Sequence, residues 1–150
     1  MNTQIAERPM VILLVDDNSG DVRLTAEALK DSKIESSLHS ARDGMEAIAF
    51  LRREGEYVDA PRPDLILLDL NMPRMNGQQV LAEIKEDSAL KHIPVVILTG
   101  SREMDDILKA YHLHANCYVT KPFDFEQFIM MVKSVTDFWL TMVKLPTEES

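Results

Sequence analysis

The chain has 150 residues, a size that suits one domain with its own core and would leave two domains unusually small. Hydrophobic residues at 45% and charged residues at 27% argue against a disordered chain, a collagen-like fibre and a membrane protein. With 16 basic against 25 acidic residues the net charge is −9, so attraction to nucleic acid or anionic lipid is not expected.

In chain order, short apolar runs alternate with stretches of helical periodicity, the pattern of a parallel sheet covered by helices on both faces. The first run, Met10–Val15, is a predicted strand, and Leu24, Ala28 and Leu29 mark the inner stripe of the helix after it. A weaker strand is predicted at 36–40, followed by a helix whose stripe holds Met45, Ile48, Ala49 and Leu51. Residues 55–63 contain Pro61 and Pro63 and read as a loop, because proline stops the preceding helix and stiffens the approach to the next strand. That strand is Leu65–Leu68, with a third helix built on Val80, Leu81 and Ile84. Strands at 95–98 and 117–119 follow, separated by a helix on Met104, Ile107, Leu108 and Tyr111. A last helix runs from Phe125 through Phe128, Ile129, Val132 and Val135 to Trp139, with Met142 continuing the spacing. Phe125 and Phe128 read as core, whereas Trp139 fits either core packing or an exposed end that meets a partner. Asp43, Asn76 and Asp124 each precede a helical pattern and suit an N-cap. The domain is expected over 9–143, with an extension at 1–8 and a frayed polar tail at 144–150.

The lone Cys117 cannot form an internal disulfide, and no charged-then-apolar leader opens the chain, so a cytoplasmic protein is expected. The apolar runs are far too short to cross a bilayer. His39, His92, His112 and His114 lack ligand spacing, and Cys117 reads as an inert buried thiol.

In an open parallel sheet the strand carboxyl ends share one edge, and ligands bind there. Asp16 and Asp17 follow the first strand, Asp69 the third, Thr99 the fourth, and Lys121 with Pro122 the fifth. Alone, Asp16 and Asp17 would read as turn or cap residues, but the joint pattern points to a site. Three neighbouring carboxylates need protons, a lysine or a metal to compensate them, and magnesium fits this oxygen-rich set best. No Cys/His cluster competes for a softer metal. Asp69 is the candidate nucleophile toward phosphorus, with Lys121 and the Thr99 hydroxyl stabilising phosphoryl oxygens and the Asn71 backbone carbonyl completing a metal shell.

Residues 12–18 (ILLVDDN), 67–73 (LLDLNMP), Asn76 with Gly77, 98–100 (LTG) and 120–122 (TKP) resemble the receiver domain of two-component response regulators, in order and spacing. The resemblance implies a flavodoxin-like (βα)5 fold, a doubly wound five-stranded parallel sheet in the order 2-1-3-4-5. It also implies magnesium at Asp16, Asp17, Asp69 and the Asn71 carbonyl, phosphorylation of Asp69 by a histidine kinase, switch residues Thr99 and Tyr118, and a cis peptide before Pro122. Such a protein is a phosphoacceptor with at most slow self-phosphorylation and self-dephosphorylation, and it signals by protein contact. Residues 55–63 (GEYVDAPRP) and 137–141 (DFWLT) resemble the regulators partnered with phytochromes, which implies a phytochrome-like kinase and a homodimer through the last helix. Two alternatives stand beside this reading: a phosphatase of the haloacid dehalogenase type, disfavoured because no second acid lies two residues after Asp69, and a receiver-like binding module independent of phosphorylation.

Overall fold

The computed structural model describes residues 9–30, 35–72, 74–100, 104–122 and 124–139. The expected extension at 1–8, the tail at 144–150 and Met142 lie outside the described residues. Five parallel strands, β1 (Met10–Val15), β2 (Ser36–Ala41), β3 (Leu65–Leu68), β4 (Val95–Thr99) and β5 (Cys117–Thr120), form one sheet in the order β2-β1-β3-β4-β5. Among the described residues five α-helices connect and follow them: α1 (Ser19–Lys30), α2 (Gly44–Arg52), α3 (Gly77–Glu86), α4 (Met104–His112) and α5 (Phe125–Asp137). The expected flavodoxin-like topology is thus found. Among the described residues no helix is long and apolar enough to cross a membrane.

Strand alternation divides the core in two. Leu13, Val15, Ile66, Leu68, Val95 and Ile97 face α2, α3 and α4, where they meet Phe50, Leu51, Leu81 and Ile84. Ile12, Leu14, Leu65, Leu67, Val96 and Leu98 face α1 and α5, where they meet Ala28, Leu29, Phe128 and Val132. β1, β3 and β4 are buried on both faces and therefore read as unbroken apolar runs. β2 is an edge strand and mostly half-buried, which explains why its serine-rich sequence gave a weak signal.

The three expected caps form. Asp43 accepts from the Glu46 N–H, Asp124 from those of Glu126 and Gln127, and Asn76 with Gln79 makes a reciprocal capping box. Residues 55–63 are not wholly irregular, because a 3-10 turn at Gly55–Tyr57 is held by the Tyr57 hydroxyl, which donates to Glu46 Oε2 at 2.5 Å. Phe128 is buried as expected, but Phe125 is 72% exposed. Phe125 is the first residue of α5, ahead of the turn where the helix meets the sheet, so helical spacing alone misassigned it. Trp139 packs against the α1/α5 core, and its neighbour Phe138 is the exposed ring at 53%. Cys117 is half-buried.

Candidate phosphoacceptor and metal site

Register builds the site. Val15 pairs with Leu68, so the next residues, Asp16 and Asp69, leave the sheet side by side. The backbone ladder continues past the strand ends: Asp69 N–H donates to the Val15 carbonyl at 2.9 Å, Asp16 N–H to Ala41 at 2.9 Å, and Lys121 N–H to Thr99 at 2.8 Å. These bonds fix the backbone of each reactive residue, so the side chains start from a rigid edge.

Carboxylate oxygens of Asp16, Asp17 and Asp69 all lie within 4.8 Å of one another, with Asp16 and Asp69 buried and Asp17 exposed. Lys121 reaches into this group from β5. Its Nζ donates to Asp16 Oδ2 at 2.8 Å, Asp69 Oδ2 at 3.1 Å and Asp21 Oδ2 at 2.5 Å. Burial pushes the Asp16 carboxyl up to about 7 against the opposing pull of Lys121. Burial alone would lower the Lys121 ammonium, but hydrogen bonds to Asp16 and Asp21 and the charges of Asp16 and Asp69 hold it above its ordinary range.

The Thr99 hydroxyl is fully buried and has no hydrogen-bond partner among the described residues. An unsatisfied buried hydroxyl costs about 1–3 kcal/mol, so an acceptor oxygen brought to this edge would find a donor ready. Asn71 N–H donates to Asp69 Oδ1 at 3.2 Å, which tightens the turn after the strand. Asn71, Leu70, Met72, Asn76 and Gln78 line an open depression of ≈ 370 Å³ beside Asp69.

This donor set fits a hard divalent cation. Magnesium binds oxygens at about 2.1 Å, so two ligands across one ion lie about 4.2 Å apart. Neighbouring ligands on the same octahedral ion lie about 3.0 Å apart, and the three carboxylates, within 4.8 Å of one another, stand close to this range. Of the expected site residues, Asp16, Asp17, Asp69 and Lys121 come together, and Thr99 ends the adjacent strand. Tyr118 packs instead against the α2/α3/α4 core, and its N–H donates to the Tyr111 hydroxyl on α4 at 3.2 Å.

The expected cis peptide before Pro122 is not found, since no cis peptide bond occurs among the described residues. The trans form is favoured by about 0.5–1 kcal/mol even before proline, and Lys121 reaches Asp16 and Asp69 without the isomer. Sequence reasoning missed Asp21, because an acid in the first turn of a helix ordinarily reads as a response to the helix dipole. The available signal was its place on the helix that leaves the Asp16-Asp17 turn.

Gly77 shapes the floor of the loop. A Cβ there would lie 2.2 Å from the Asp69 carbonyl oxygen and 2.6 Å from Leu70 Cα, so only glycine lets α3 start this close to the acceptor strand. Gly44 has the same role against the Met75 carbonyl, at 2.3 Å. Arg74 stands between them with φ +65° and pairs with Asp43 at 2.7 Å.

Comparison with known proteins agrees with this geometry. Residues 12–133 match the response regulator receiver domain family. Response regulator Rcp1 of Synechocystis is 51% identical over 138 residues, covering 92% of this chain and 94% of that protein. The phosphorylated cyanobacterial phytochrome response regulator RcpA superposes with a TM-score of 0.91 at 51% identity, over 93% of this chain and 100% of the other. The Mn2+-bound form of Rcp1 superposes with a TM-score of 0.89 at 51% identity, with the same coverage.

Proposed function

The chain belongs to the response regulator receiver family, and on that premise we propose that it accepts a phosphoryl group on Asp69 from a histidine kinase, with magnesium held by Asp16, Asp17, Asp69 and the Asn71 carbonyl. The observation that carries this reading is the Lys121 ammonium placed over paired buried carboxylates at the sheet edge, next to a threonine hydroxyl with no partner among the described residues. In the transfer, a carboxylate oxygen of Asp69 bonds to phosphorus as the bond from phosphorus to the donor imidazole nitrogen breaks, and that nitrogen keeps the electron pair. Lys121 neutralises one phosphoryl oxygen, and the Thr99 hydroxyl donates to another. A bound divalent cation supplies further neutralisation of the phosphoryl charge. With the Asp16 carboxyl raised to about 7, cation ligation by Asp16 competes with its protonation below that pH.

The same acts make this a signalling protein in which phosphorylation shifts a conformational equilibrium, with slow self-phosphorylation and self-dephosphorylation at most. Thr99 and Tyr118 would report the change to the face of α4, β5 and α5, where Leu108 and Tyr111 are exposed. A phytochrome-type kinase as donor is supported by the 51% identity to RcpA, described as a cyanobacterial phytochrome response regulator. A cytoplasmic site of action suits such a donor. Self-association through the end of α5 is supported by the exposed Phe138 ring, which meets Trp139 edge-on at 5.9 Å.

Intact mass after incubation with acetyl phosphate and magnesium tests the reading. Wild type should gain one phosphoryl group and Asp69→Asn none, and equal gain by both, or none by wild type, would overturn it.

A further inference from the structure

Lys121 has three carboxylate partners, and two of them, Asp16 and Asp69, belong to the proposed cation set. The third and shortest contact is Asp21, at 2.5 Å, whose carboxylate is not part of the converging acid group. Asp21 is held firmly. Its N–H donates to Asn18 Oδ1 at 3.1 Å, and its carbonyl accepts from the Thr25 hydroxyl at 2.8 Å. The Asn18 N–H in turn donates to Asp16 Oδ1 at 2.9 Å, so Asn18 ties Asp16 and Asp21 into one turn. A first-turn acid that only favours the helix dipole needs no partner, whereas this side chain is 18% exposed and reaches a lysine from the far end of the chain.

We propose that Asp21 is a positioning residue: it anchors the Lys121 ammonium over Asp69 so that the lysine and a divalent cation need not compete for Asp16. This rests on the cation reading above. Among the described residues, the partners left to the ammonium without Asp21 are two cation ligands, and every close approach sets like charges against each other. With Asp21, Lys121 keeps a charge-assisted hydrogen bond that does not depend on the cation set, and its donors stay within reach of an incoming phosphoryl oxygen.

The test is magnesium binding by titration calorimetry to wild type, Asp21→Asn, Lys121→Ala and the double variant. Loss of the Asp21 charge weakens the cation by its field in either background, so the anchoring role is the difference between backgrounds. Asp21→Asn should weaken binding about tenfold with Lys121 present and at least about fivefold less than that with Lys121 removed, a coupling of the size contacting residues show. Asp21→Glu, which keeps the charge, should restore binding to within about threefold, and Asp21→Ser supplies a second truncation should Asp21→Asn misfold. Equal losses in both backgrounds would overturn the anchoring role and leave the cation site standing. Absence of magnesium binding by wild type would overturn both.

Discussion

Gly77→Ala sets two effects against each other. In a helix alanine is better than glycine by about 0.5–1 kcal/mol, so propensity alone would make the variant more stable. The new methyl, however, would sit 2.2 Å from the Asp69 carbonyl oxygen and 2.6 Å from Leu70 Cα, and both obstacles are backbone that cannot rotate away. Forcing a methyl into such packing costs about 1–3 kcal/mol. The shift also strains the bond from Gly77 N–H to the Leu70 carbonyl, now 3.0 Å, worth about 1 kcal/mol. The clash wins, by about 1–3 kcal/mol net, which lowers the midpoint of thermal unfolding by roughly 3–10 °C for a chain of this size. Urea and thermal unfolding followed by circular dichroism measure it, with Gly100→Ala as the comparator because a Cβ there meets nothing within 4 Å. Because the strain falls on the backbone of Asp69, magnesium binding should weaken as well. A Gly77→Ala protein as stable as wild type with magnesium binding intact would refute the argument.

Tyr57→Phe should cost about 1 kcal/mol in urea unfolding, below the about 1.5–3 kcal/mol of a bond to a charged group because the pair is partly exposed, while the ring keeps its contact with Phe50 at 5.5 Å. Glu46 raises the Tyr57 phenol from 10.0 to about 12, so its contribution is full below pH 10 and fades as pH climbs through 12; a gap between the two proteins that widens there would be contrary. With Asp16 raised from 3.8 to about 7, the metal-free protein should lose stability relative to Asp16→Asn as pH rises between those values, and magnesium affinity should climb over the same range and then level; calorimetry showing flat affinity would count against it. Phe138→Ala should weaken self-association with stability within about 0.5 kcal/mol, whereas Trp139→Ala should also destabilise the fold because that ring packs on the core; a wild type monomeric by sedimentation at micromolar concentrations would remove the interface.

Much of the site could be read without coordinates because parallel topology does the spatial work. Residues far apart in sequence share an edge once each apolar run is recognised as a buried strand, and Asp16, Asp69, Thr99 and Lys121 each sit at or just past such a run. What escaped the sequence depends on side-chain direction. Asp21 turns inward from α1 and Phe125 turns outward from α5, though composition and spacing suggest the reverse for each. β2 was weak for a related reason: an edge strand with half-buried serines lacks the apolar signature of its central neighbours.

The solitary hydroxyl of Thr99 sets evolutionary stability against responsiveness. Valine has nearly the same shape and would leave no polar atom stranded there, so a chain selected only for persistence would favour it. On the phosphoacceptor reading, threonine keeps a hydroxyl that has no partner among the described residues, and an incoming phosphoryl oxygen would supply one. On that reading, part of the energy that distinguishes arrival of a phosphoryl group from its absence would reside at this one atom.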